Sequence, residues 1–332
     1  MATISVVLPF RNAEATLNAA IESVQNQLFK DFECILVDNA STDNSKEVAQ
    51  GFLDDQRFKL ISEKKIGVWH AMNTALASAN SRYLARMDAD DLWFENKLEE
   101  QMSFLLMHQE VDVLGTQVEF KTDLPNADGF AEYVNWSNSL TTAGEINNSI
   151  FMESPIVNPS LVFRKELIEQ HGNYIDNGWP EDYEMLLRWH SKGVKMQKVN
   201  EPLMTWKDSS QRLSRSHENF SKHAFNAVKC HYLAKWLEKN NPYHPAIWVW
   251  GSSRIMRRNA EELLNYGVVI EGYIDLKPGE IEGKPITSYI QVPADFDRFI
   301  VSFVGMRDQR LKVRQFLLNL GKVEGKQFVM AS

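Results

Sequence analysis

The chain has 332 residues, of which 44% are hydrophobic and 24% charged, so it can form about two globular domains with sizeable cores. Its formal net charge of −8 argues against nucleic acid as a partner, because phosphate backbones attract basic surfaces. It lacks a run of about eighteen apolar residues, so we expect no transmembrane segment, and its first residues lack the basic region of a signal peptide.

Short apolar runs alternate with amphipathic segments from residue 4 to about residue 120. The apolar runs predict buried parallel strands at 4–9, 33–38, 58–62 and 82–87. The amphipathic segments between them predict helices, and we expect Asn12 and Ser41 to cap the first two. Repeated βαβ units of this kind predict the α/β class, with a mostly parallel sheet flanked by helices.

The pattern changes in the second half of the chain. The polar, turn-rich segment 121–160 predicts a mobile or acceptor-facing excursion. Residues 217–239 predict one longer amphipathic helix, and 239–245 predict a turn-rich linker. A second series of strands is predicted at 246–251, 268–275 and 298–305. We therefore predict three regions: 1–215, a helical connector at 216–242, and a small α/β domain at 243–332.

Candidate binding residues, most of them polar or charged, lie at the ends of three of the predicted strands in the first region. They are Pro9, Phe10 and Arg11 after the first strand, Asp38 and Asn39 after the second, and Asp88, Asp90 and Asp91 after the fourth. In an open parallel sheet, ligands bind beyond the carboxyl ends of the strands. The recurrence of acids at one edge therefore favours a binding site over a solvated loop, which remains the alternative for "MDADD" taken alone.

Carboxylates that lie close together along the chain repel one another unless a cation lies among them. Mg²⁺ and Mn²⁺ prefer carboxylate oxygens and keep positions open for substrate phosphates. The first strand is followed by "PFRNAEAT", without the glycine-rich loop that would bind phosphates through backbone amides. The sequence therefore predicts a divalent metal, Mg²⁺ or Mn²⁺, that holds a diphosphate. We expect Asp91 to turn away and brace the helix that follows.

Three ordered stretches resemble glycosyltransferase family 2, of the GT-A fold. They are "SVVLPFRNAEATLNAAIESVQNQLFKDFECILVDNASTDNS", "GVWHAMNTALASANSRYLARMDADD" and "GWPEDYEMLLRW", and the resemblance extends over roughly residues 3 to 215. The resemblance implies a nucleotide-sugar donor, with a UDP-sugar favoured, a divalent metal, and inversion at the anomeric carbon. It implies a glycan or glycolipid acceptor in surface-polysaccharide synthesis. An oligomer and a peripheral membrane contact stay open.

The resemblance also assigns roles to residues of this sequence. Donor binding would fall to Pro9, Phe10, Arg11, Asp38, Asn39, His70, Asn73 and Asp88. Asp90 would be the principal metal ligand, with Asp88 beside it. Asp182 in "PEDYE" would be the general base for the acceptor hydroxyl, with Trp179 and Glu181 on the acceptor side. On that stretch alone, acids favoured by the amino end of a helix remain the alternative.

Three departures from the family pattern alter these expectations. Asn39 replaces a second acid, so the identity of the nucleotide base becomes uncertain. Met185 replaces the Gln of the processive members' Q-x-x-R-W, which favours addition of a single sugar. The stretch "TWKDSSQRLSRS" lacks the family histidine at the matching place. Asp208 on the metal, with Arg212 and Arg215 on the diphosphate, would substitute, although "RLSR" also reads as a capped helix start.

The C-terminal region resembles a Rossmann-like module in which only Gly251 of the glycine fingerprint survives and Asp275 ends the second strand. A structural or docking role is favoured over nucleotide binding there. The two cysteines lie far apart in apolar segments, which favours buried thiols and a cytoplasmic protein, including one at the inner face of the membrane. The rival functions are a nucleotidyltransferase and a non-catalytic nucleotide-sugar-binding scaffold.

Overall fold

The computed structural model describes residues 2–125, 127–209, 212, 215 and 217–332. The chain folds as two compact units. The first unit consists of residues 1–146, 156–177 and 192–216, and the second consists of residues 147–155, 178–191 and 217–332. The predicted three-region division of the chain stays a prediction. None of the helices in the described ranges is long and apolar enough to span a bilayer.

The first unit is built on an eight-stranded sheet. Its strands are β1 (Ile4–Phe10), β2 (Phe32–Asp38), β3 (Phe58–Ser62), β4 (Tyr83–Arg86), β5 (Leu92–Trp93), β6 (Val113–Thr122), β7 (Val162–Arg164) and β8 (Met196–Asp208). The strand order is β3-β2-β1-β4-β7-β6-β8-β5. The four strands predicted from apolar runs are parallel neighbours, and β6 is parallel to β8, whereas β7 is antiparallel to both of its neighbours. The predicted α/β class is confirmed.

Helices cover this sheet. They are α1 (Leu17–Gln25), α2 (Ser45–Gln50), α3 (Val68–Ser78), α4 (Lys97–Met107), α5 (Asp128–Ser139), α6 (Ala143–Ser149), which runs into the second unit, and α7 (Glu166–His171). All seven residues of β1 are buried, and the inward face of α1 shares their core through Leu17, Ile21 and Val24. Each such apolar side chain contributes about 1.5–3 kcal/mol on burial, so the core fixes the strand ends firmly.

The segment 121–160 contains α5 and α6, and the expectation of a mobile or acceptor-facing excursion there stays a prediction. The two expected helix caps are wrong. Asn12 and Ser41 do not cap α1 and α2, whose N-caps are other residues. Asn12 has a left-handed backbone with a φ of 51°, and its Oδ1 accepts a hydrogen bond from Thr42 N at 2.8 Å. Ser41 Oγ accepts one from Asn12 N at 3.2 Å, so this pair ties together the loops that follow β1 and β2.

The second unit is built on a six-stranded sheet. Its strands are β9 (Ala246–Trp250), β10 (Val269–Asp275), β11 (Gly279–Ile281), β12 (Lys284–Ser288), β13 (Ile300–Ser302) and β14 (Phe328–Met330), in the order β11-β12-β10-β9-β13-β14. Its helices are α8 (Glu181–Ser191), α9 (Lys222–Asn240), α10 (Arg254–Glu261) and α11 (Arg307–Asn319). Only β11 of these strands is antiparallel to its neighbour. The predicted second α/β pattern is therefore present.

Candidate functional site

Three carboxylates meet just beyond the end of β4. One oxygen from each of Asp88, Asp90 and Asp91 lies within 4.8 Å of the others. Burial raises the pKa of Asp90 and Asp91, and the neighbouring carboxylates raise it further. The loop that carries them follows a strand locked between β1 and β7, so the cluster is held at a fixed place on the sheet edge. This arrangement concentrates negative charge, and a bound cation would reduce the repulsion between the carboxylates.

Arg86 is the cation nearest to Asp88 in sequence, and the sequence analysis assigned it no role. It is the last residue of β4 and is buried, and its Nε donates to Asp88 Oδ1 at 3.1 Å. Asn158, with its amide oxygen turned toward Arg86, accepts from Nη1 at 2.5 Å. The Tyr174 ring lies 5.8 Å from the guanidinium. Arg86 therefore positions Asp88, and the signal available in the sequence was a charged residue at the end of an apolar strand.

Asp91 does not behave as expected. Its Oδ1 accepts a hydrogen bond from Lys207 N at 2.8 Å, so it braces β8 rather than α4. Its Oδ2 is buried and has no hydrogen-bond partner among the residues that the structure describes. Because its carboxylate also lies with those of Asp88 and Asp90, the expected separation of two working acids from one structural acid is wrong.

These residues fit a divalent cation. The donor set is entirely carboxylate oxygen, which suits Mg²⁺ and Mn²⁺. A buried carboxylate oxygen without a partner costs free energy, and Asp91 Oδ2 is in that position. The residues that would hold the cation are therefore Asp88, Asp90 and Asp91.

The end of β8 carries the residues expected to replace the missing histidine. The Asp208 carboxylate is completely buried and receives two hydrogen bonds from Arg215, one from Nε at 3.1 Å and one from Nη2. Asp208 and Arg215 are thus bound to each other, and Asp208 is not a member of the three-carboxylate cluster. The Arg212 guanidinium lies 4.0 Å from the Trp206 ring and donates to Lys207 O at 3.0 Å.

Arg212, like Arg86, contributes positive charge at the cluster. Its positive charge counteracts the rise in the pKa of Asp90 and Asp91 that burial and repulsion cause. The expected role of Arg212 in binding the diphosphate stays a prediction. The predicted helix start at "RLSR" includes Leu213 and Ser214, which lie outside the described residues.

The loop after β2 brings Asp38 and Asn39 to the same sheet edge. Phe10 is paired with Asp38 in the β1–β2 register, and Asp38 Oδ1 accepts from Ser41 N at 3.0 Å. Both amide hydrogens of Asn39 are used, since Nδ2 donates to Glu63 O at 3.2 Å and to Lys65 O at 2.7 Å. Its Oδ1 accepts from Gly67 N at 2.9 Å. Asn39 therefore holds the loop before α3 and has one Oδ1 lone pair left for a ligand.

The other residues expected on the donor side are distributed along β1 and α3. Pro9 and Phe10 are buried at the end of β1, and Arg11 beyond them is exposed. His70 is half-buried in the first turn of α3. Asn73 Nδ2 donates to Tyr174 O at 2.9 Å, and Asn73 Oδ1 accepts from Tyr174 N at 3.0 Å. Its amide therefore connects α3 to the backbone at Tyr174.

The residues expected on the acceptor side belong to the second unit. Glu181 and Asp182 lie in the first turn of α8, directly after Pro180. Glu181 is buried and Asp182 is half-buried, and Asp182 Oδ1 accepts from Tyr183 N at 2.7 Å. The Trp179 ring packs on His231 with a centroid distance of 5.2 Å. This position is compatible with a catalytic base at Asp182, and it is equally compatible with acids that only stabilise the amino end of the helix.

Comparison with known proteins gives one family match. The profile of Glycosyl transferase family 2 matches residues 5–171. The Escherichia coli UDP-Glc:alpha-D-GlcNAc-diphosphoundecaprenol beta-1,3-glucosyltransferase WfgD is 39% identical over 103 residues, covering 31% of this chain and 41% of that protein. The bifunctional glycosyltransferase pgtA of Dictyostelium discoideum is 27% identical over 275 residues, covering 69% of this chain and 36% of that protein. The chain thus spans less than half the length of either relative.

Solved structures show the same fold at low identity. S. aureus TarS 1-349 in complex with UDP-GlcNAc superimposes with a TM-score of 0.55 at 16% identity, over 71% of this chain and 72% of that one. The mannosyltransferase PcManGT from Pyrobaculum calidifontis, in complex with GDP-Man and Mn2+, gives 0.52 at 16% identity, over 80% of this chain and 69% of that one. At this identity the likeness concerns the fold alone.

Proposed function

Because the chain belongs to glycosyl transferase family 2, we propose that it moves a single sugar from a nucleotide-diphosphate sugar to an acceptor hydroxyl. Transfer proceeds with inversion at the anomeric carbon and requires Mn²⁺ or Mg²⁺. The observation that carries this proposal is the cluster of Asp88, Asp90 and Asp91 at the carboxyl edge of a parallel sheet. Surplus negative charge at that edge would repel a nucleoside diphosphate unless a cation bound there first.

Inversion needs a group that accepts the proton of the attacking hydroxyl and stabilisation of the departing diphosphate. A bound cation would neutralise part of the negative charge on that leaving group. Arg86 keeps Asp88 oriented, and Arg212 adds a positive charge close to the acids. Asp182 acts as the base: its Oδ1 is oriented by Tyr183 N, which supports a fixed carboxylate that takes up the proton.

The nucleoside part of the donor binds beside the loop after β2. Asp38 is buried at the strand end, and its Oδ1 is anchored by Ser41 N, which leaves Oδ2 to accept from a ribose or base donor. Asn39 contributes through its remaining Oδ1 lone pair. Since Asn39 also holds the loop at Glu63 and Lys65, its substitution should alter loop order as well as affinity.

A UDP-sugar donor and a surface-glycan or lipid-linked acceptor complete the proposal. The support is the relative WfgD, whose name specifies UDP-Glc and a diphosphoundecaprenol acceptor. The protein would work in the cytoplasm, at the inner face of the membrane where such an acceptor is exposed.

The test separates the base from the metal ligands. Asp182→Asn should lower transfer by about 100-fold or more while Mn²⁺-dependent nucleotide binding persists, because the amide cannot accept the proton. Asp90→Asn should lose both. Asp176→Asn and Asp54→Asn, at exposed acids, are the matched controls and should leave both unchanged. Transfer is measured against a panel of nucleotide sugars, and binding by calorimetry.

Three results would overturn parts of the proposal. Wild-type transfer by Asp182→Asn removes the base assignment. Mn²⁺-dependent nucleotide binding retained by Asp90→Asn removes the metal assignment. Release of pyrophosphate instead of a nucleoside diphosphate removes glycosyl transfer itself and indicates nucleotidyl transfer.

A further inference from the structure

Four large apolar side chains are exposed at one edge of the second sheet. The strands β12, β10, β9 and β13 are parallel neighbours, so all four end at this edge. A side chain that is 69–74% exposed follows each of them, and we call these four the apolar tips: Ile290 after β12, Leu276 after β10, Ile255 after β9 and Met306 after β13. Of the large apolar residues that the structure describes, only Met107 in the first unit is equally exposed.

Hydrogen bonds hold the ends of these strands together. Phe303 N, just after β13, donates to Trp250 O at the end of β9 at 3.1 Å. Trp250 is in turn paired with Ile274 of β10. Ser288 Oγ, at the end of β12, donates to Leu276 O at 3.0 Å. Neighbouring strands lie about 4.8 Å apart, so the four strand ends span about 15 Å. The apolar tips therefore share one edge, whereas exposed apolar side chains on most surfaces occur singly.

Exposed cations lie beside the apolar tips. Arg254 directly precedes Ile255, and Lys277 directly follows Leu276. Arg258 lies one turn after Arg254 on α10. These three cations, which we call the edge cations, are all exposed, and their side chains form no hydrogen bond or ion pair with any residue in the described part of the chain. Their charge is therefore available to an anion outside the protein.

Two acids also lie at this edge. Asp275 is held within the protein, since its Oδ2 accepts from Ser252 N and its Oδ1 accepts from Leu276 N, both at 2.7 Å. Asp308 is exposed in the first turn of α11, two positions after Met306. Asp308 would repel an anionic surface that approaches the edge cations, so its removal provides a test with the opposite sign.

The edge cations favour an anionic surface over a second copy of this chain. In a two-fold dimer the same surface faces itself, so the edge cations would meet like charges. An anionic bilayer instead offers phosphate groups to the cations and an apolar layer directly beneath them. Because the chain as a whole has a net charge of −8, such a bilayer attracts it only where positive charge is local.

We propose that the carboxyl edge of the second sheet docks on the surface of an anionic lipid bilayer. The apolar tips enter the boundary between the headgroups and the acyl chains, and the edge cations pair with lipid phosphates. Docking of this kind rests on the proposed function, because a lipid-linked acceptor is reached at such a surface.

The test is co-sedimentation of the whole protein with lipid vesicles, in EDTA and without nucleotide sugar. One set of vesicles contains equal parts of phosphatidylglycerol and phosphatidylcholine, and the other contains phosphatidylcholine alone. Wild-type protein should bind the anionic vesicles about tenfold more tightly than the neutral ones. High salt should remove most of this difference, because it screens the edge cations.

The first variant removes apolar surface. Ile255→Ser combined with Leu276→Ser should weaken binding to the anionic vesicles by about tenfold or more, because two apolar side chains no longer leave water. Met107→Ser, at the equally exposed position in the first unit, is the matched control and should bind as the wild type does. All three positions are exposed, so the melting temperature should not change.

The second variant removes charge. Arg254→Gln combined with Lys277→Gln should weaken binding to the anionic vesicles by about tenfold or more and leave binding to the neutral vesicles unchanged. Lys326→Gln, at an exposed lysine just before β14 and hence at the opposite edge of the same sheet, is the matched control. Asp308→Asn should strengthen binding to the anionic vesicles.

Three results would overturn the proposal. The first is wild-type protein that does not sediment with the anionic vesicles. The second is equal binding by wild type and by the double variant at Ile255 and Leu276. The third is a dimer in analytical ultracentrifugation that this double variant lacks, without vesicle binding, which would assign the edge to a second copy of the chain. Sugar transfer is measured without vesicles and with Mn²⁺, so a failure of the proposed function is read separately.

Discussion

The acids at the carboxyl edges of the two sheets differ in how far the surrounding groups satisfy them. In the first sheet, one oxygen from each of Asp88, Asp90 and Asp91 lies within 4.8 Å of the others, and Arg86 donates a hydrogen bond to Asp88. In the second sheet, both oxygens of Asp275 accept hydrogen bonds, from Ser252 and from Leu276.

The difference shows that an acid at the end of a parallel strand does not by itself indicate a cation site. Asp275 accepts hydrogen bonds on both oxygens and so serves to hold the loop after β9. Asp91 has a buried oxygen that accepts none among the described residues. Whether the surrounding groups already satisfy the carboxylate therefore distinguishes a structural acid from one that favours a cation.

Among the variants that test this comparison, the largest change in stability is expected when Arg86 is replaced. Arg86→Met leaves Asp88 and Asn158 without their cation, and breaking a largely buried pair should lower the free energy of unfolding by about 3 kcal/mol. If Arg86 positions Asp88, the Mn²⁺ concentration at half-saturation should also rise. Urea unfolding and metal titration measure the two effects.

Arg86→Lys and Arg82→Met provide the controls for Arg86. Lysine keeps the charge but lacks the planar fork, so it should restore part of the stability and little of the metal affinity. Arg82 is exposed at the other end of β4, and its replacement should change neither quantity. Unchanged metal affinity in a folded Arg86→Met protein would contradict the positioning role.

The second prediction concerns Lys198, the buried lysine of the first unit. Burial lowers its pKa to about 7. In the unfolded chain a lysine titrates near about 10.4, so the unfolded chain binds more protons between these values, and the free energy of unfolding rises with pH. We expect the free energy of unfolding to rise by about 2 kcal/mol between pH 7 and pH 9, and we expect no such rise below pH 7.

Chemical denaturation at a series of pH values measures this slope. Lys198→Met should flatten it, and Lys192→Met, at an exposed position, should retain it. An identical slope in wild type and Lys198→Met would show that the ammonium of Lys198 stays protonated in the folded chain, as its hydrogen bonds to Ser137 would then require.

The sequence was sufficient for the architecture because continuous apolar runs mark strands that are buried on both faces. The run "ISVVLP" forms β1 except for its last residue, and "ECILVD" forms β2 except for its first. The acids after β4 could also be placed, because parallel strands deliver their following residues to one edge. The helices α5 and α6 were missed because the segment that contains them is polar and rich in turn-forming residues.

Side-chain pairing could not be read from the sequence. Arg86 contacts Asn158 and Tyr174 through packing between segments that are distant in the sequence. Asp208 pairs with Arg215, seven positions later, because the chain turns back after β8. Asn12 was misread because a residue after a strand can cap a helix or bridge two loops with the same side-chain oxygen. Asp91 was misread because its partner, Lys207 N, lies on β8, more than a hundred positions away.

Asp275 provides the third prediction, on the second sheet. Burial alone would raise its pKa, but hydrogen bonds from Ser252 and Leu276 lower it below the usual value. Its stabilising contribution is therefore present above the unfolded pKa of about 3.9 and is lost as the pH falls through the folded value. Asp275→Asn at neutral pH should lower the free energy of unfolding by about 1 kcal/mol without changing Mn²⁺ affinity. A change in Mn²⁺ affinity would contradict its structural role.

The smallest expected effect has the opposite sign and returns to the first sheet. In metal-free protein, Asp90→Asn removes one of three mutually repelling carboxylates, so it should raise the free energy of unfolding by about 0.5 kcal/mol. Mn²⁺ should stabilise the wild type and leave Asp90→Asn unaffected, which reverses the order of the two proteins. Thermal unfolding with EDTA and then with Mn²⁺ measures both. If Asp90→Asn is less stable than wild type in EDTA, the acids are already compensated within the protein, and the contrast between the two sheet edges fails.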